Sequence, residues 1–297
     1  IKFLEDKFNI RRVIHFEKKA FENAEIGATI LELVKDDKLT NHIRYEKYHL
    51  SDDYGKKEPI IDVDIDSISK IPKTLFISFP KSMFIPLDKL VSDAIKRGID
   101  PLLTKHFIFE YPEFNETIPL IKQVKKIRDY TVNEKNVDYL IYHNEGLMSN
   151  KLSNYLDKVK KQVMNSNKNI SLRKRILKEE KWYKIRLVKP GKIIFNYYLR
   201  GRIRFLYNPS LYYVSHNFYT FNTIHNEFLM LSLLNSTFTK LAVLSCARNQ
   251  GNGLKKIQLY EFFTVPIFDQ SLLRKKDRTE LINLGQSLSI SDNASVI

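Results

Sequence analysis

The alternation of apolar and polar positions predicts short β-strands along much of the chain. The segment from Asn9 to Phe16 predicts a short strand, and the segment from Ala28 to Val34, with alternating apolar side chains, predicts another. Carboxylates alternate with apolar residues from Asp62 to Asp66, which predicts a solvent-facing strand. The apolar runs Lys105 to Tyr111 and Tyr139 to Tyr142 predict two more strands.

Helical spacing of apolar residues predicts the remaining elements. The segment from Leu87 to Arg97 precedes Gly98, a residue suited to a helix C-cap. The segment from Asn226 to Leu244 is the most apolar, and we expect it to break near Asn235. Further helices are predicted at Ser67 to Ile71, Leu152 to Met164, Ile170 to Lys181 (a helix or a linker) and Ser271 to Leu288.

The stretch from Trp182 to Phe221 organises the chain, because its apolar residues are largely β-branched or aromatic and basic residues lie between them. Arg200, Arg202 and Arg204 are two positions apart, so on a strand they share one face. Such a face needs water or an anion opposite it. It is either a solvated sheet surface or a surface that grips nucleic-acid phosphate. The aromatic residues placed to stack or pack there are Tyr197, Tyr198, Tyr212 and Tyr213.

Composition and charge favour a large core and a polyanionic partner. The 297 residues are 43% hydrophobic, enough for one large domain or two smaller ones. The formal net charge is +15, and between Lys168 and Arg204 thirteen basic residues outnumber two glutamates, a local net charge of +11. A concentrated positive charge of this kind is typical of a surface that binds nucleic acid.

Several kinds of chemistry are excluded by what the sequence lacks. Cys246 is the single cysteine, which rules out an intramolecular disulfide and fits a reducing cytoplasm. No apolar run approaches the roughly 20 residues of a membrane span. The seven histidines show no zinc-ligand spacing, and there is no phosphate-binding glycine loop, nucleophile motif or catalytic carboxylate pair. The sequence therefore argues against a self-contained enzyme.

Three stretches together resemble the N6-adenine DNA methyltransferases of type II and IIG restriction–modification systems, chiefly the gamma class. Phe8 to Lys35 is similar to the last strand pair of the methyltransferase sheet in that family. Trp182 to Tyr219 carries a W-Y start, K-I-I-F and R-I-R-F strands and an N-F-Y ending. Leu233 to Pro266 follows the family's order of helix, Gly loop (RNQGNGLKK) and closing strand, and Leu120 to Tyr142 is a weaker match.

The resemblance implies an α+β fold in two parts. Residues 1–37 would be a β-hairpin remnant of a class I methyltransferase sheet, and residues 38–297 a mixed-strand target-recognition domain with helices. The family's Asn/Asp-Pro-Pro-Tyr/Phe motif and its acidic Gly-rich loop for S-adenosylmethionine do not occur in the sequence. By this resemblance the cofactor and the catalytic residues belong to an upstream methyltransferase domain, and we assign no catalytic, cofactor-binding or metal-binding residue here.

The implied function is sequence-specific binding of duplex DNA in the cytoplasm, which positions the target adenine for that catalytic domain. Basic side chains would neutralise phosphates, and Arg, Asn and Gln would reach base edges. Asn217 and Tyr219 are weaker candidates, since either can belong to the core. The candidate DNA contacts are Lys122, Lys126, Arg200, Arg202, Arg204, Arg248, Gln250, Asn252, Lys255 and Lys256.

Three alternatives stay open. The chain could be a stand-alone module like the specificity subunits of type I systems, although it shows one recognition pattern and no long heptad spacer. It could be a basic RNA-binding protein without a role in methylation, because aromatic residues on a basic sheet serve RNA equally well. A nuclease is disfavoured, because the aspartates from Asp62 to Asp66 lack a trailing Glu-x-Lys.

Overall fold

Short strands and helices alternate throughout the structure, a computed structural model that describes residues 8–16, 28–35, 42–65, 80, 82–166, 169–250 and 253–290. The α+β class predicted from the sequence is confirmed. The chain forms two units, each built from three separated stretches. Unit 1 comprises Ile1–Pro80, Tyr198–Arg202 and Leu241–Val265, and unit 2 comprises Lys81–Tyr197, Ile203–Lys240 and Pro266–Ile297.

The strands and helices are numbered in chain order over the described residues. The strands are β1 (Asn9–Phe16), β2 (Ala28–Val34), β3 (Ile43–Tyr48), β4 (Ile61–Ile65), β5 (Phe84–Pro86), β6 (Lys96–Arg97), β7 (Ile108–Phe109), β8 (Thr117–Ile121), β9 (Asp138–Ile141), β10 (Ile193–Asn196), β11 (Tyr198–Leu199), β12 (Phe205–Tyr207), β13 (Tyr213–Val214), β14 (Phe218–Phe221), β15 (Arg248–Asn249), β16 (Lys255–Lys256) and β17 (Pro266–Phe268). The helices are α1 (Thr104–Phe107), α2 (Asn150–Met164), α3 (Ile170–Lys178), α4 (Glu227–Asn235), α5 (Thr237–Cys246), α6 (Leu259–Phe263) and α7 (Lys275–Ile290).

Unit 1 contains a four-stranded sheet in the order β2-β1-β3-β4. Strand β1 pairs antiparallel with β2 and parallel with β3. One face of the sheet is an apolar core that includes Val13 and Tyr45. On β3, the Glu46 carboxylate is 1% exposed and accepts hydrogen bonds from the Arg12 guanidinium at 2.7–3.0 Å. The predicted strands β1, β2 and β4 are confirmed, whereas β3 was missed because charged residues hide its alternation.

The predicted boundary after residue 37 falls between β2 and β3, which belong to the same sheet. The division of the chain into residues 1–37 and 38–297 stays a prediction.

Unit 2 contains two four-stranded sheets, ordered β12-β10-β14-β6 and β13-β8-β9-β7, and the strand pair β17-β5. Its largest core packs α2 and α3 around Trp182, which is 3% exposed and contacts Phe107 edge to face at 6.0 Å. The second core lies between the sheets and includes Ile121, Ile194 and Phe218. Burial of so much apolar surface is the main favourable term that holds unit 2 together.

The helix predicted from Leu87 to Arg97 is wrong. A 3₁₀ turn covers Leu87–Leu90, and Lys96–Arg97 forms edge strand β6. Strand β6 pairs antiparallel with β14, and this tertiary pairing outweighs a weak local preference for helix. Gly98 is required for close approach, because a Cβ there would lie 2.3 Å from the Ser215 carbonyl oxygen.

The strand predicted from Lys105 to Tyr111 is also wrong in its first half, where Thr104–Phe107 is helix α1 and only Ile108–Phe109 is strand. The predicted strand at Tyr139 to Tyr142 is confirmed as β9, with a one-residue shift. The helix predicted from Ser67 to Ile71 lies outside the described residues.

The longer helix predictions are confirmed as α2, α3 and α7. The apolar segment breaks at Ser236, between α4 and α5. The Asn235 side chain bonds both backbone groups of Phe205 on β12 and also donates to the Leu231 carbonyl of its own helix, a local bond that favours a break there. In the described part of the chain no single helix has the length and apolarity to cross a membrane, and the bent pair α4–α5 satisfies that criterion by length and composition alone.

Candidate nucleic-acid interface

A small three-stranded sheet in unit 1, ordered β11-β16-β15, brings together residues that are far apart in sequence. Tyr198 pairs with Lys256, and Lys256 pairs with Arg248 on its other side. Directly opposed residues of antiparallel strands point to the same face of a sheet. The three side chains therefore form one row, which we call the Tyr198 row.

Each cation of the Tyr198 row lies beside an aromatic ring. Lys256 Nζ is 5.4 Å from the centroid of the Tyr198 ring. Arg248 Cζ is 5.5 Å from the centroid of the Tyr260 ring, and Arg248 also donates a hydrogen bond to the Tyr260 hydroxyl. The rings of Tyr198 and Tyr260 belong to residues that are 38% and 58% exposed. Cations held against exposed rings present positive charge and flat apolar surface together.

Glu261 neutralises part of this charge. Its Oε1 atom lies 2.5 Å from Arg248 Nε. Its Oε2 atom accepts a hydrogen bond from the Gln258 backbone at 2.9 Å, which caps helix α6. Glu261 is more buried than Arg248, with side-chain exposures of 15% and 54%. Arg248 is therefore held in place by an internal acidic partner.

Arg200 and Arg202 follow β11 in an exposed turn. Gly201, between them, has a φ of +76, and this left-handed backbone interrupts the extended chain. The expectation that Arg200, Arg202 and Arg204 share one strand face is therefore wrong. The two exposed arginines add charge next to Tyr198 in the sequence.

The remaining candidates of unit 1 lie on or near the β15–β16 hairpin. Lys255 is opposite Asn249, and its Nζ donates a hydrogen bond to Asn249 Oδ1 at 2.7 Å. Gln250 is exposed, and its backbone nitrogen donates to the Leu254 carbonyl at 2.8 Å. Asn252 lies outside the described residues.

Two of the three candidates of unit 2, Arg204 and Lys126, make side-chain contacts within the protein. Arg204 donates to the backbone carbonyls of Ile127, Arg128 and Asp129 at 2.5–3.1 Å. Lys126 Nζ lies 2.7 Å from Asp138 Oδ1, and this hydrogen bond raises the pKa of Lys126. Lys122 is half-buried after β8. Arg204 and Lys126 therefore have structural partners that compete with any phosphate.

The weaker candidates Asn217 and Tyr219 lie in unit 2. Tyr219 is 3% exposed and stacks on Tyr197 at 5.1 Å between ring centroids, whereas Asn217 is half-buried. Tyr212 and Tyr213 are half-buried and pack against the cores of unit 2. Of the four tyrosines singled out in the central stretch, Tyr198 has an exposed ring.

Tyr260 and Glu261, which contact Arg248, were not among the candidates named from the sequence, and neither was the exposed Arg97 of unit 2. Arg97 was assigned to a helix, and the pairing of β6 with β14 could not be anticipated from local pattern. Glu261 follows Gln258 by three residues, a spacing typical of a capping box, so that signal was present.

No group of three or more His, Cys, Asp or Glu side chains with metal-binding geometry occurs in the described part of the chain. The Cys246 side chain is half-buried.

No protein-family model matches the chain. In sequence, the chain is homologous to the type II methyltransferase M.AccI of Acinetobacter calcoaceticus, with 22% identity over 303 residues that cover 92% of this chain and 56% of that protein. The chain thus spans about half the length of this curated relative.

In structure, the chain is similar to two restriction–modification enzymes. The type IIG restriction endonuclease BpuSI matches with a TM-score of 0.50 and 16% identity, over 96% of this chain and 39% of that one. The type IIL enzyme MmeI, solved in complex with DNA, matches with a TM-score of 0.53 and 11% identity, over 96% of this chain and 38% of that one. At these identities the likeness concerns the fold.

Proposed function

We propose that the chain is the target-recognition part of a restriction–modification enzyme. It binds duplex DNA at a specific sequence and positions the target adenine for N6 methylation by a separate methyltransferase domain, in the cytoplasm. Support comes from the homology to a type II methyltransferase and from the fold shared with BpuSI and MmeI. We also propose the division into residues 1–37, as part of the catalytic sheet, and 38–297, as the recognition region.

The observation that carries the proposal is the Tyr198 row together with exposed Arg200 and Arg202. These cations come from two stretches of chain that the β11-β16-β15 sheet joins in unit 1. Phosphate contacts by such side chains supply sequence-independent affinity by releasing counterions. Gln250 on the hairpin, and Asn252, are proposed to reach base edges, since amide side chains pair with adenine in the major groove.

S-adenosylmethionine is proposed as the cofactor of the complete enzyme. The acidic Gly-rich loop that would hold it does not occur in the sequence, so the residues of this chain do not fit the cofactor. No step of the reaction is assigned to this chain.

The experiment is a salt titration of duplex binding, followed by fluorescence anisotropy. The slope of the logarithm of the binding constant against the logarithm of the salt concentration is negative. Loss of two phosphate contacts in Arg200→Ala/Arg202→Ala should make it shallower by about 2, and loss of one in Lys256→Ala by about 1. The matched control, Lys275→Ala/Lys276→Ala, removes two exposed charges from α7 and should leave the slope unchanged. Equal losses in the control and the test variant would contradict the assignment to this surface.

Competition separates the RNA-binding alternative, which the exposed rings of Tyr198 and Tyr260 favour. Duplex DNA should displace the labelled duplex, and single-stranded RNA of the same length should not. Stronger competition by RNA would contradict the proposal and support the alternative.

A further inference from the structure

Arg97, at the end of edge strand β6 in unit 2, is an exposed arginine with a fixed side chain. Its Nε atom donates to the His216 carbonyl oxygen at 2.8 Å, and its Nη2 atom donates to the Tyr197 hydroxyl at 2.7 Å. Tyr197 is 1% exposed and stacks on Tyr219, so the anchor belongs to the core. An arginine normally loses much rotamer freedom when it binds a ligand, and these bonds have already removed it.

The backbone beneath Arg97 is equally constrained. Gly98 N donates to Phe218 O at 2.9 Å, and Ile99 N donates to Val214 O at 2.8 Å. A Cβ at Gly98 would lie 2.3–2.4 Å from the carbonyl oxygens of Ser215 and Val214, so the two segments touch through their backbones. The position of the guanidinium is therefore set by β6, by His216 in the turn before β14, and by Tyr197, which follows β10.

The remaining N–H groups of Arg97 are suited to a bidentate hydrogen bond. Nε and Nη2 share one edge of the guanidinium, and the protein occupies that edge. The edge formed by Nη1 and Nη2 keeps two parallel N–H groups for a ligand. No ion pair of Arg97 occurs among the residues that the structure describes, so its charge has no acidic partner there.

We propose that Arg97 reads a guanine in the recognition sequence, donating from its free edge to O6 and N7 in the major groove. The inference rests on the proposed duplex DNA binding. Phosphate oxygens could accept the same two donors, but a flexible cation serves a phosphate as well as a fixed one does. A guanidinium edge held in one orientation suits a planar base edge, because a rotated guanidinium would lose one of the two hydrogen bonds.

The experiment selects bound duplexes from a pool with a randomised core, using the whole chain, and sequences them. The wild type should enrich a motif that includes a G·C pair. Arg97→Lys keeps the charge but removes the two parallel N–H donors. It should lower the preference for that pair by about 10- to 100-fold and leave the preferences at the other positions unchanged. Tyr197→Phe removes one anchor of the guanidinium and should weaken the same preference less.

Lys96→Ala is the matched control, because Lys96 is the exposed neighbour of Arg97 on β6. Its side chain leaves the opposite face of the strand, so the substitution should leave the motif intact. Urea unfolding of each variant shows whether Arg97 merely ties His216 to Tyr197; a loss of stability with an unchanged motif would overturn the inference.

A phosphate contact would show as uniform weakening in Arg97→Ala and near wild-type binding in Arg97→Lys, and that result would also overturn it. If the wild type enriches no motif, the proposed function itself fails.

Discussion

The Lys126 ammonium lies 2.7 Å from Oδ1 of Asp138, whose side chain is 1% exposed. The second carboxylate oxygen of Asp138 is buried and has no hydrogen-bond partner among the described residues. Lys126 therefore supplies the compensating charge for a buried carboxylate, and removal of one partner from such a pair leaves the other uncompensated.

Lys126→Ala should lower the free energy of unfolding by about 2 kcal/mol, because Asp138 is then left without its cation. Urea denaturation measures the change. Lys125→Ala is the matched control, since Lys125 is exposed, and it should unfold like the wild type. Equal stability of the two variants would show that the pair contributes nothing.

Asn235→Ala should lower the free energy of unfolding by about 2 to 4 kcal/mol. The Asn235 side chain accepts from Phe205 N at 3.0 Å and donates to Phe205 O at 2.9 Å, in a fully buried position. The substitution leaves the backbone N–H and C=O of Phe205 without these partners. It also removes the hydrogen bonds that join α4 to β12. Asn283→Ala, at an exposed site on α7, controls for loss of an asparagine, and thermal unfolding of both variants decides the matter.

Gly98→Ala should cost about 3 kcal/mol, the upper end of overpacking penalties, because its Cβ would meet backbone carbonyls that cannot rotate away. Gly253→Ala provides the comparison. A Cβ at Gly253 meets nothing within 4 Å, so its cost should be limited to about 1 to 2 kcal/mol for a left-handed φ. A Gly98→Ala protein as stable as the Gly253→Ala protein would contradict the close packing.

Stability should fall as the pH drops below about 6.5, the ordinary histidine pKa. Burial lowers the pKa of His216, and the nearby Arg97 lowers it further, against an opposing effect of Asp100. The unfolded chain then binds a proton before the folded one, so the contribution of His216 is complete above that pH and is lost as the pH falls through the folded-state pKa. Urea midpoints at several pH values should show a smaller decline in His216→Gln than in the wild type.

Glu261→Gln should raise the affinity for duplex DNA by about two- to fivefold at low salt, as expected for an ion pair that solvent partly screens. The amide keeps an oxygen for the Gln258 backbone but no longer neutralises Arg248. Glu280→Gln, an exposed substitution on α7, controls for the change in net charge. If both variants bind more tightly by the same factor, the effect is one of overall charge and Arg248 is not at the interface.

Strong local pattern was sufficient for much of the fold. Strands β1 and β2 match the residues predicted for them from local sequence. The break between α4 and α5 was also foreseen at Asn235, a residue whose side chain competes with the helix. In these segments local and tertiary preferences agree.

Sequence reasoning failed where distant partners decide the conformation. Lys96–Arg97 became a strand because β14 pairs with it, and no local signal marks that partner. Arg200, Arg202 and Arg204 have a strand-like spacing, but the turn at Gly201 separates them. The charges of Arg204 and Lys126 are evident in the sequence. Their hydrogen-bond partners, backbone carbonyls for Arg204 and the Asp138 carboxylate for Lys126, are not.

The interleaving of the two units restricts how this chain can be recombined. Unit 1 draws on three stretches of sequence, so a single crossover between related genes would exchange only part of it. Replacing it whole would require several simultaneous junctions, at residues near 80, 198, 202, 241 and 265. Changes of side chain on an intact backbone are therefore the easier route by which this scaffold could acquire new preferences.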